Sequence, residues 1–164
     1  MGLHHIVISR LQELNLKVGI IETSTNGMIS SNFAVYDNFA KVYQFGFIFN
    51  DLSLAWKFDL DTKNFICKNN ARKLAKYFHD EYDCDCVLSV VSTSNDPNLK
   101  KIPNLQVDEK MKDNPNGHAF ISIYVVDQFN DYELQFKSYN ELQDRITITN
   151  KAINTLLSVL LTLH

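Results

Sequence analysis

The chain has 164 residues, of which 45% are hydrophobic and 21% charged, and its formal net charge is −3 at pH 7. These values predict one globular domain with a real hydrophobic core. The acidic balance gives no general attraction to nucleic acid, so we expect no nucleic-acid partner. The N-terminus lacks the features of a secretory signal, and the longest apolar run, TLLSVLLTL, is about half of a membrane span. We therefore expect a cytoplasmic protein with no membrane partner.

The cysteines and histidines show no metal signature. The three cysteines, Cys67, Cys84 and Cys86, are an odd number, whereas a secreted disulfide framework normally uses an even one. The CxC pair in DCDC has no second ligand pair, and we expect both thiols on one face of a strand. The five histidines lack a ligand spacing such as HExxH. The sequence predicts neither a metal nor a cofactor.

The first half of the chain alternates helices with strands. HHIVISRLQELN places Ile6, Leu11 and Leu14 on one helical face and predicts a helix that ends at Asn15. LKVGIIE is short, apolar and β-branched, which predicts a buried strand. GMISSNFAVYD predicts a second helix, capped by a hydroxyl among residues 23–25. AKVYQFGFIFN, rich in aromatic residues, predicts a second strand.

The second half ends in a hairpin and a long helix. NNARKLAKYFHDEY predicts a helix capped by Asn69 or Asn70, and CDCVLSVVS a buried strand. The polar stretch 92–116 holds all three prolines and predicts a long loop. HAFISIYVVDQFNDYELQFKSY predicts two antiparallel strands, and NELQDRITITNKAINTLLSVLLTLH an amphipathic helix. The order α-β-α-β-α-β-β-β-α predicts one domain over 1–164, a three-layer α/β/α sandwich with a mixed sheet.

A turn rich in hydroxyls follows the first predicted strand. In IETSTNG, residues 21–27, Glu22 and Gly27 enclose Thr23, Ser24 and Thr25. An open α/β sheet places a reactive or phosphate-binding turn at such a position. Glycine is expected where the backbone approaches a ligand or adopts a positive φ.

Five stretches resemble, in colinear order, the C-terminal domain of CinA, the family of nicotinamide mononucleotide deamidases. IETSTNG is similar to the family's AESCTGG, and FGFIFNDLSLA at 45–55 to its GGVVAYSNEVK. VVSTSND at 90–96 corresponds to VTGIAGP, and NPNGHAFIS at 114–122 is similar to KPVGTVYIA. YNELQDRITITNKAI at 139–153 is similar to GDREEIRxxxxxxAL. The resemblance therefore covers nearly the whole chain.

This resemblance implies an α/β/α fold, self-association into a homo-oligomer and a set of site residues. In an active enzyme, Thr23 would be the nucleophile, in place of the family's serine, and Lys57 its activating base. The ligand would be a pyridine nucleotide or a similar small molecule. The implied ligand-binding residues are Glu22, Ser24, Thr25, Gly27, Gly46, Gly117 and Arg145.

The chain departs from the family at several of these positions. The tyrosine and lysine of YSNEVK are Asn50 and Ala55 here, and an alanine cannot activate a hydroxyl. The first arginine of GDREEIR is Glu141, which would repel a phosphate. Glu22 has two interpretations, as a ligand contact or as a carboxylate that fixes the turn. Arg145 likewise contacts a phosphate or forms only a surface ion pair.

Two functions of different classes follow. The first is a degenerate family member without deamidase activity, a pseudoenzyme that acts as a nucleotide-like ligand-binding or protein-interaction module. The alternative is an active nicotinamide-nucleotide amidase, which would hydrolyse nicotinamide mononucleotide to nicotinate mononucleotide and ammonia. In that case Thr23 or Ser24 attacks, Lys57 or the N-terminus of the second helix activates, and Arg145 holds the phosphate. The chain contains no GxGxxG or GxxxxGK[ST], which disfavours dinucleotide-binding and P-loop domains.

Overall fold

A computed structural model describes residues 2–50, 52–92 and 116–164. The helices are α1 Leu3–Glu13, α2 Met28–Ala34, α3 Lys68–Tyr82 and α4 Glu141–Thr162. The strands are β1 Val18–Glu22, β2 Tyr43–Ile48, β3 Cys86–Ser92, β4 Asn116–Val125 and β5 Gln128–Lys137. Two 3₁₀ helices, Phe39–Lys41 and Leu52–Phe58, flank β2. The predicted order of helices and strands is confirmed. The loop predicted for 92–116 lies outside the described residues except for Ser92 and Asn116, which end β3 and begin β4 rather than belonging to a loop.

The five strands form one mixed sheet in the order β2-β1-β3-β4-β5. β1 is parallel to β2 and to β3, whereas β4 is antiparallel to both β3 and β5. The chain leaves β1 toward β2 on one side and later returns to place β3 on the other side. The carboxyl ends of β1 and β3 therefore form a topological switch point, the place where open α/β sheets bind ligands.

Helices cover both faces of the sheet, which confirms the three-layer α/β/α sandwich. Helices α1, α2 and α4 pack on one face, and α3 and the 3₁₀ helix 52–58 pack on the other. Strand β1, which lies between β2 and β3, is buried along its whole length, so its apolar side chains contribute to both cores. Val18 and Ile20 enter the first core, and Ile21 enters the second.

The buried face of helix α1 includes Leu11 and, in part, Leu14, as predicted, but not Ile6. Its buried residues are Val7, Ile8 and Leu11, whereas Ile6 is 41% exposed. The run IVI offers three neighbouring apolar positions, so the spacing alone does not select which of them faces the core. The predicted end of the helix is confirmed, because Asn15 has φ 54° in the left-handed region.

The start of α3 differs from the prediction of an asparagine cap. The N-cap is Cys67, whose Sγ accepts a hydrogen bond from the Asn70 backbone N–H at 3.4 Å. The buried Asn70 amide instead binds the preceding loop: it donates to the carbonyl oxygens of Asp61 and Phe65, each at 2.9 Å. Asn69 is not the cap either, because the helix begins at Lys68. The Asn70 side chain therefore hydrogen-bonds to the preceding loop and does not cap its own helix.

The two neighbouring cysteines do not share a face of β3, contrary to the prediction. β3 begins at Cys86, whose side chain lies in the first core, whereas Cys84 precedes the strand and lies in the second core. All three cysteines are free. Burial raises the pKa of the Cys84 thiol to about 11 and raises that of Cys86 as well. Both thiols are therefore protonated at neutral pH and behave as small apolar side chains.

Candidate functional site

The turn that joins β1 to α2 lies at the carboxyl end of β1, at the switch point of the sheet. Its polar residues Glu22, Thr23, Ser24 and Thr25 are all buried, with at most 6% of each exposed. Buried polar side chains are normally hydrogen-bonded. The partners of these four residues therefore show what the turn is built to do.

The Glu22 carboxylate binds the first turn of α2. Its Oε1 accepts hydrogen bonds from the Thr25 hydroxyl at 2.7 Å and from the Ile29 N–H at 2.9 Å, and its Oε2 accepts one from the Ser30 N–H at 3.1 Å. A carboxylate is favourable beside the N–H groups that a helix leaves without intrahelical partners. These contacts describe a carboxylate that fixes the turn. Contact between Glu22 and a ligand remains a prediction.

The cap of α2 is not the hydroxyl that the sequence predicted. The N-cap is Gly27, with φ 86° and no side-chain cap bond. Its predecessor Asn26 also has a positive φ, 52°, so two consecutive residues of the turn lie in the left-handed region. A Cβ at Gly27 would lie 2.9 Å from the Cδ1 of Ile48. The Asn50 amide donates to Oδ1 of Asn26, which holds the segment after β2 against the turn.

The Thr23 hydroxyl connects β1 to the backbone of β3. Its Oγ1 donates to the Val90 carbonyl at 3.0 Å and accepts from the Ser92 N–H at 3.3 Å. Within the described residues, no titratable side chain hydrogen-bonds to this hydroxyl. Thr23 therefore extends the pairing between two parallel strands at the point where β1 ends.

Ser24 and Arg145 meet at the same edge of the sheet. The Ser24 hydroxyl hydrogen-bonds to the hydroxyl of Ser92 at the end of β3. Arg145 of α4 donates through Nε to the Ser24 carbonyl at 3.0 Å, and its Nη2 lies 3.5 Å from Oε2 of Glu141. Sequence reasoning missed Ser92. Its position at the end of a predicted strand could have indicated it as a site residue, since neighbouring parallel strands end at a common edge of the sheet.

The start of α4 holds Arg145 in place. The Asn140 side chain caps the helix by accepting from the Gln143 N–H at 2.9 Å. The buried Asp144 accepts from the Tyr139 N–H at 3.2 Å, so this carboxylate binds the segment before the helix rather than Arg145. The ion-pair partner of Arg145 is thus Glu141, one helical turn earlier.

Lys57 and Thr23 are not brought together. Lys57 lies on the 3₁₀ helix 52–58, with its Nζ 5.7 Å from the ring centroid of the exposed Trp56. No hydrogen bond or ion pair joins Lys57 to the turn in the described part of the chain. Ala55, at the family's lysine position, is fully buried in the second core.

The glycines Gly46 and Gly117 serve packing in the sheet. A Cβ at Gly46 would collide with the hydroxyl of Tyr43, and one at Gly117 would collide with the ring of Phe136. Gly46 lies in β2, where it pairs with Ile20, whereas Gly117 lies near the start of β4. A side chain at either position would displace a neighbouring aromatic side chain, and ligand contact at either glycine remains a prediction.

The described residues form neither a metal site nor a membrane-spanning helix. Among the described residues, no group of three or more histidine, cysteine, aspartate or glutamate side chains stands close enough to hold a metal ion. In the same part of the chain, no helix combines the length and the apolar character needed to span a membrane.

The sheet order and the two helical layers are those of a CinA-like α/β domain. The structure is similar to that of a competence or damage-inducible protein from Enterobacter asburiae, with a TM-score of 0.79 and 13% identity over 96% of each chain. It is also similar to competence damage-inducible protein A (ComA) from Klebsiella pneumoniae, with a TM-score of 0.78 and 12% identity over 100% of both chains. A CinA-superfamily protein from Escherichia coli matches with a TM-score of 0.75 and 14% identity, over 96% of this chain and 90% of that one.

The chain therefore has the CinA fold, as the resemblance in the sequence implied. No protein-family model matches its sequence, and no curated protein does. Since the identities to the solved structures are 12–14%, the likeness establishes the fold and leaves the activity to be argued from the site.

Proposed function

We propose that this CinA-fold chain is a binding module for a pyridine nucleotide or a similar small molecule, without amidase activity. The observation that carries the proposal is the bonding of Thr23. Its hydroxyl is buried and both donates to and accepts from the backbone of β3. A nucleophile must instead pass its proton to a base and turn a lone pair toward the substrate.

Among the described residues, no side chain that could act as a base hydrogen-bonds to Thr23. The family's lysine position is occupied by Ala55, which is buried among apolar side chains. Lys57, the substitute that an active enzyme would need, packs beside Trp56 instead. A hydroxyl with a normal pKa and no nearby base is a poor nucleophile at neutral pH.

Two backbone donors at the start of α2 are also engaged. Hydrolysis of an amide builds negative charge on the carbonyl oxygen, and enzymes place N–H groups there. In this turn, the N–H groups of Ile29 and Ser30 donate to the Glu22 carboxylate. A substrate oxygen would therefore have to compete with a buried carboxylate for the same donors.

The features that favour a binding function are Arg145 and its place in the fold. Arg145 contacts the turn through Ser24 at the switch point, the part of an α/β sheet where ligands bind. A guanidinium there suits a phosphate or carboxylate group of the ligand. The neighbouring Glu141 reduces this attraction, so we expect weak binding. Three free cysteines favour a reducing compartment, and we place the protein in the cytoplasm.

The test is to mix the chain at tens of micromolar with nicotinamide mononucleotide and to measure both binding heat and ammonia. We expect heat without ammonia. Arg145→Gln should abolish the heat, whereas Lys151→Gln, which removes one positive charge from an exposed position of the same helix, should not. Absence of heat in the unaltered chain would contradict the ligand assignment. Ammonia release that Thr23→Ala abolishes would establish the alternative function, the active amidase.

A further inference from the structure

The side chain of Arg145 is held by the turn without using all of its donors. A guanidinium carries several N–H groups in a rigid plane. Here Nε donates to the Ser24 carbonyl at 3.0 Å, and Nη2 lies 3.5 Å from Oε2 of Glu141, which is long for a hydrogen bond. Neither contact involves Nη1, and 25% of the Arg145 side chain is exposed. The guanidinium can therefore still bind an anion.

The charges next to this guanidinium are mostly negative. Glu141 precedes Arg145 by one helical turn, and the buried Asp144 adjoins it in the chain. A third carboxylate, that of Glu22, is buried in the turn that Arg145 contacts. Within the described residues, no lysine and no second arginine hydrogen-bonds to this turn. The carboxylates therefore offset the positive potential that Arg145 produces.

The charge of a ligand enters two opposing energies. The attraction between ligand and site is proportional to the ligand's charge multiplied by the potential of the site. The cost of removing an ion from water rises with the square of its charge. Where carboxylates reduce the positive potential, this cost grows faster than the attraction as the ligand's charge rises. Such a site binds a singly charged group in preference to a doubly charged one.

The phosphate groups of nucleotides differ in this respect. A phosphomonoester has a second pKa of about 6, so it carries about two negative charges above pH 7, whereas a phosphodiester carries about one. Because Glu141 pairs with the same guanidinium, any anion that Arg145 binds lies close to the Glu141 carboxylate. This carboxylate therefore repels a phosphomonoester more strongly than a phosphodiester.

We propose that the pair Arg145–Glu141 selects a ligand with a singly charged phosphodiester over one with a doubly charged phosphomonoester. The inference rests on the proposed function, because it assigns the class of ligand for the same site. Arg145 is the contact for the anion, and Glu141 determines the specificity. The family motif GDREEIR has an arginine at the position of Glu141, so the resemblance alone would not predict this preference.

The test compares nicotinamide mononucleotide with its phosphate methyl ester, a probe that differs only in the esterified phosphate. Calorimetric titration at about pH 8 and low salt measures the affinity of the chain for each. We expect the methyl ester to bind about threefold more tightly to the unaltered chain. Glu141→Gln keeps the size of the side chain and removes its charge. This variant should bind both probes more tightly and reverse their order, because the guanidinium then has no paired carboxylate.

Glu81→Gln is the control, since it removes the same charge from an exposed position of α3. It should leave the order of the two affinities unchanged, and circular dichroism should show that both variants are folded. Failure of both probes to bind the unaltered chain would refute the ligand assignment of the proposed function, and this inference with it. If the unaltered chain prefers the phosphomonoester, or if Glu141→Gln does not change the order, only the selection by Glu141 is refuted.

Discussion

The turn after β1 and the interior of the domain treat buried polar groups differently. In the turn, Glu22, Thr23 and their neighbours all have hydrogen-bond partners within the chain. In the rest of the described structure, three buried polar atoms have none: His4 Nε2, Ser89 Oγ and Thr149 Oγ1. The polar residues of the turn thus hold the chain in its path, whereas these three buried atoms form no hydrogen bond within the described residues. A turn with the composition of a reactive site can therefore have a purely structural role, because its polar side chains bond to the chain itself.

The substitution Glu22→Ala should have the largest effect on the stability of the turn. The substitution removes a buried carboxylate that accepts three hydrogen bonds and leaves the Ile29 and Ser30 N–H groups without partners. We expect the free energy of unfolding to fall by about 3 kcal/mol, measured by urea denaturation. Glu81→Ala, at an exposed position of α3, should change it by less than about 0.5 kcal/mol. Equal effects of the two variants would contradict a structural role for Glu22.

Gly27→Ala tests the backbone of the same turn. An alanine at φ 86° is strained, and its Cβ would lie 2.9 Å from Ile48 Cδ1, so we expect a loss of about 1–2 kcal/mol. Ile48→Val removes that Cδ1. If the contact contributes, the double variant should lose less stability than the two single losses added together. If the losses of unfolding free energy in the two single variants add up to the loss in the double variant, the contact with Ile48 contributes nothing and the strain comes from φ alone.

Thr23→Val and Ser89→Ala separate a bonded hydroxyl from an unbonded one. Valine keeps the shape of threonine but leaves the Val90 carbonyl and the Ser92 N–H without a partner, which should cost about 1–2 kcal/mol in unfolding free energy. Ser89→Ala removes a buried hydroxyl that has no partner and should be neutral or stabilising. Thermal unfolding of both variants gives the two changes in stability. A larger loss of stability in Ser89→Ala than in Thr23→Val would contradict a structural role for the Thr23 hydroxyl.

The smallest effect concerns His4, which packs between Phe33 and Tyr36 at ring-centroid distances of 5.1 and 5.5 Å. Burial lowers its pKa below the usual 6.5. The unfolded chain therefore binds more protons below that pH, and this residue makes stability fall as the pH drops from 6.5 toward the lowered pKa of the folded state. We expect His4→Phe to reduce the loss of stability between about pH 7.5 and about pH 5.5. The control is His164→Phe at the exposed C-terminus, and an unchanged loss in His4→Phe would refute the assignment.

Much of the fold could be predicted from local sequence patterns. The strands lie in runs rich in β-branched or aromatic residues, and α3 and α4 have apolar residues at helical spacing, so the sequence predicts each of these elements. Errors arose where a local pattern allows several outcomes. The apolar run at Ile6 fits more than one face of α1, and Asn70 was equally suited to cap its helix or to bind the preceding loop.

The candidate site was predictable in position but not in bonding. The composition of residues 22–27 indicated a turn at the end of a strand, and the structure places it at the switch point. The partner of Thr23 could not be read from the sequence, because Val90 lies 67 residues away and contacts it only after the sheet has formed. The same holds for Arg145, which reaches Ser24 across 121 residues.

The central claim is that the Thr23 hydroxyl is structural rather than catalytic. Its most direct test is the rate of ammonia release from nicotinamide mononucleotide by the unaltered chain, compared with Thr23→Val in the same assay. We predict no release above the variant, although the variant is measurably less stable. Release by the unaltered chain that disappears in a folded Thr23→Val protein would contradict the account and establish a working amidase.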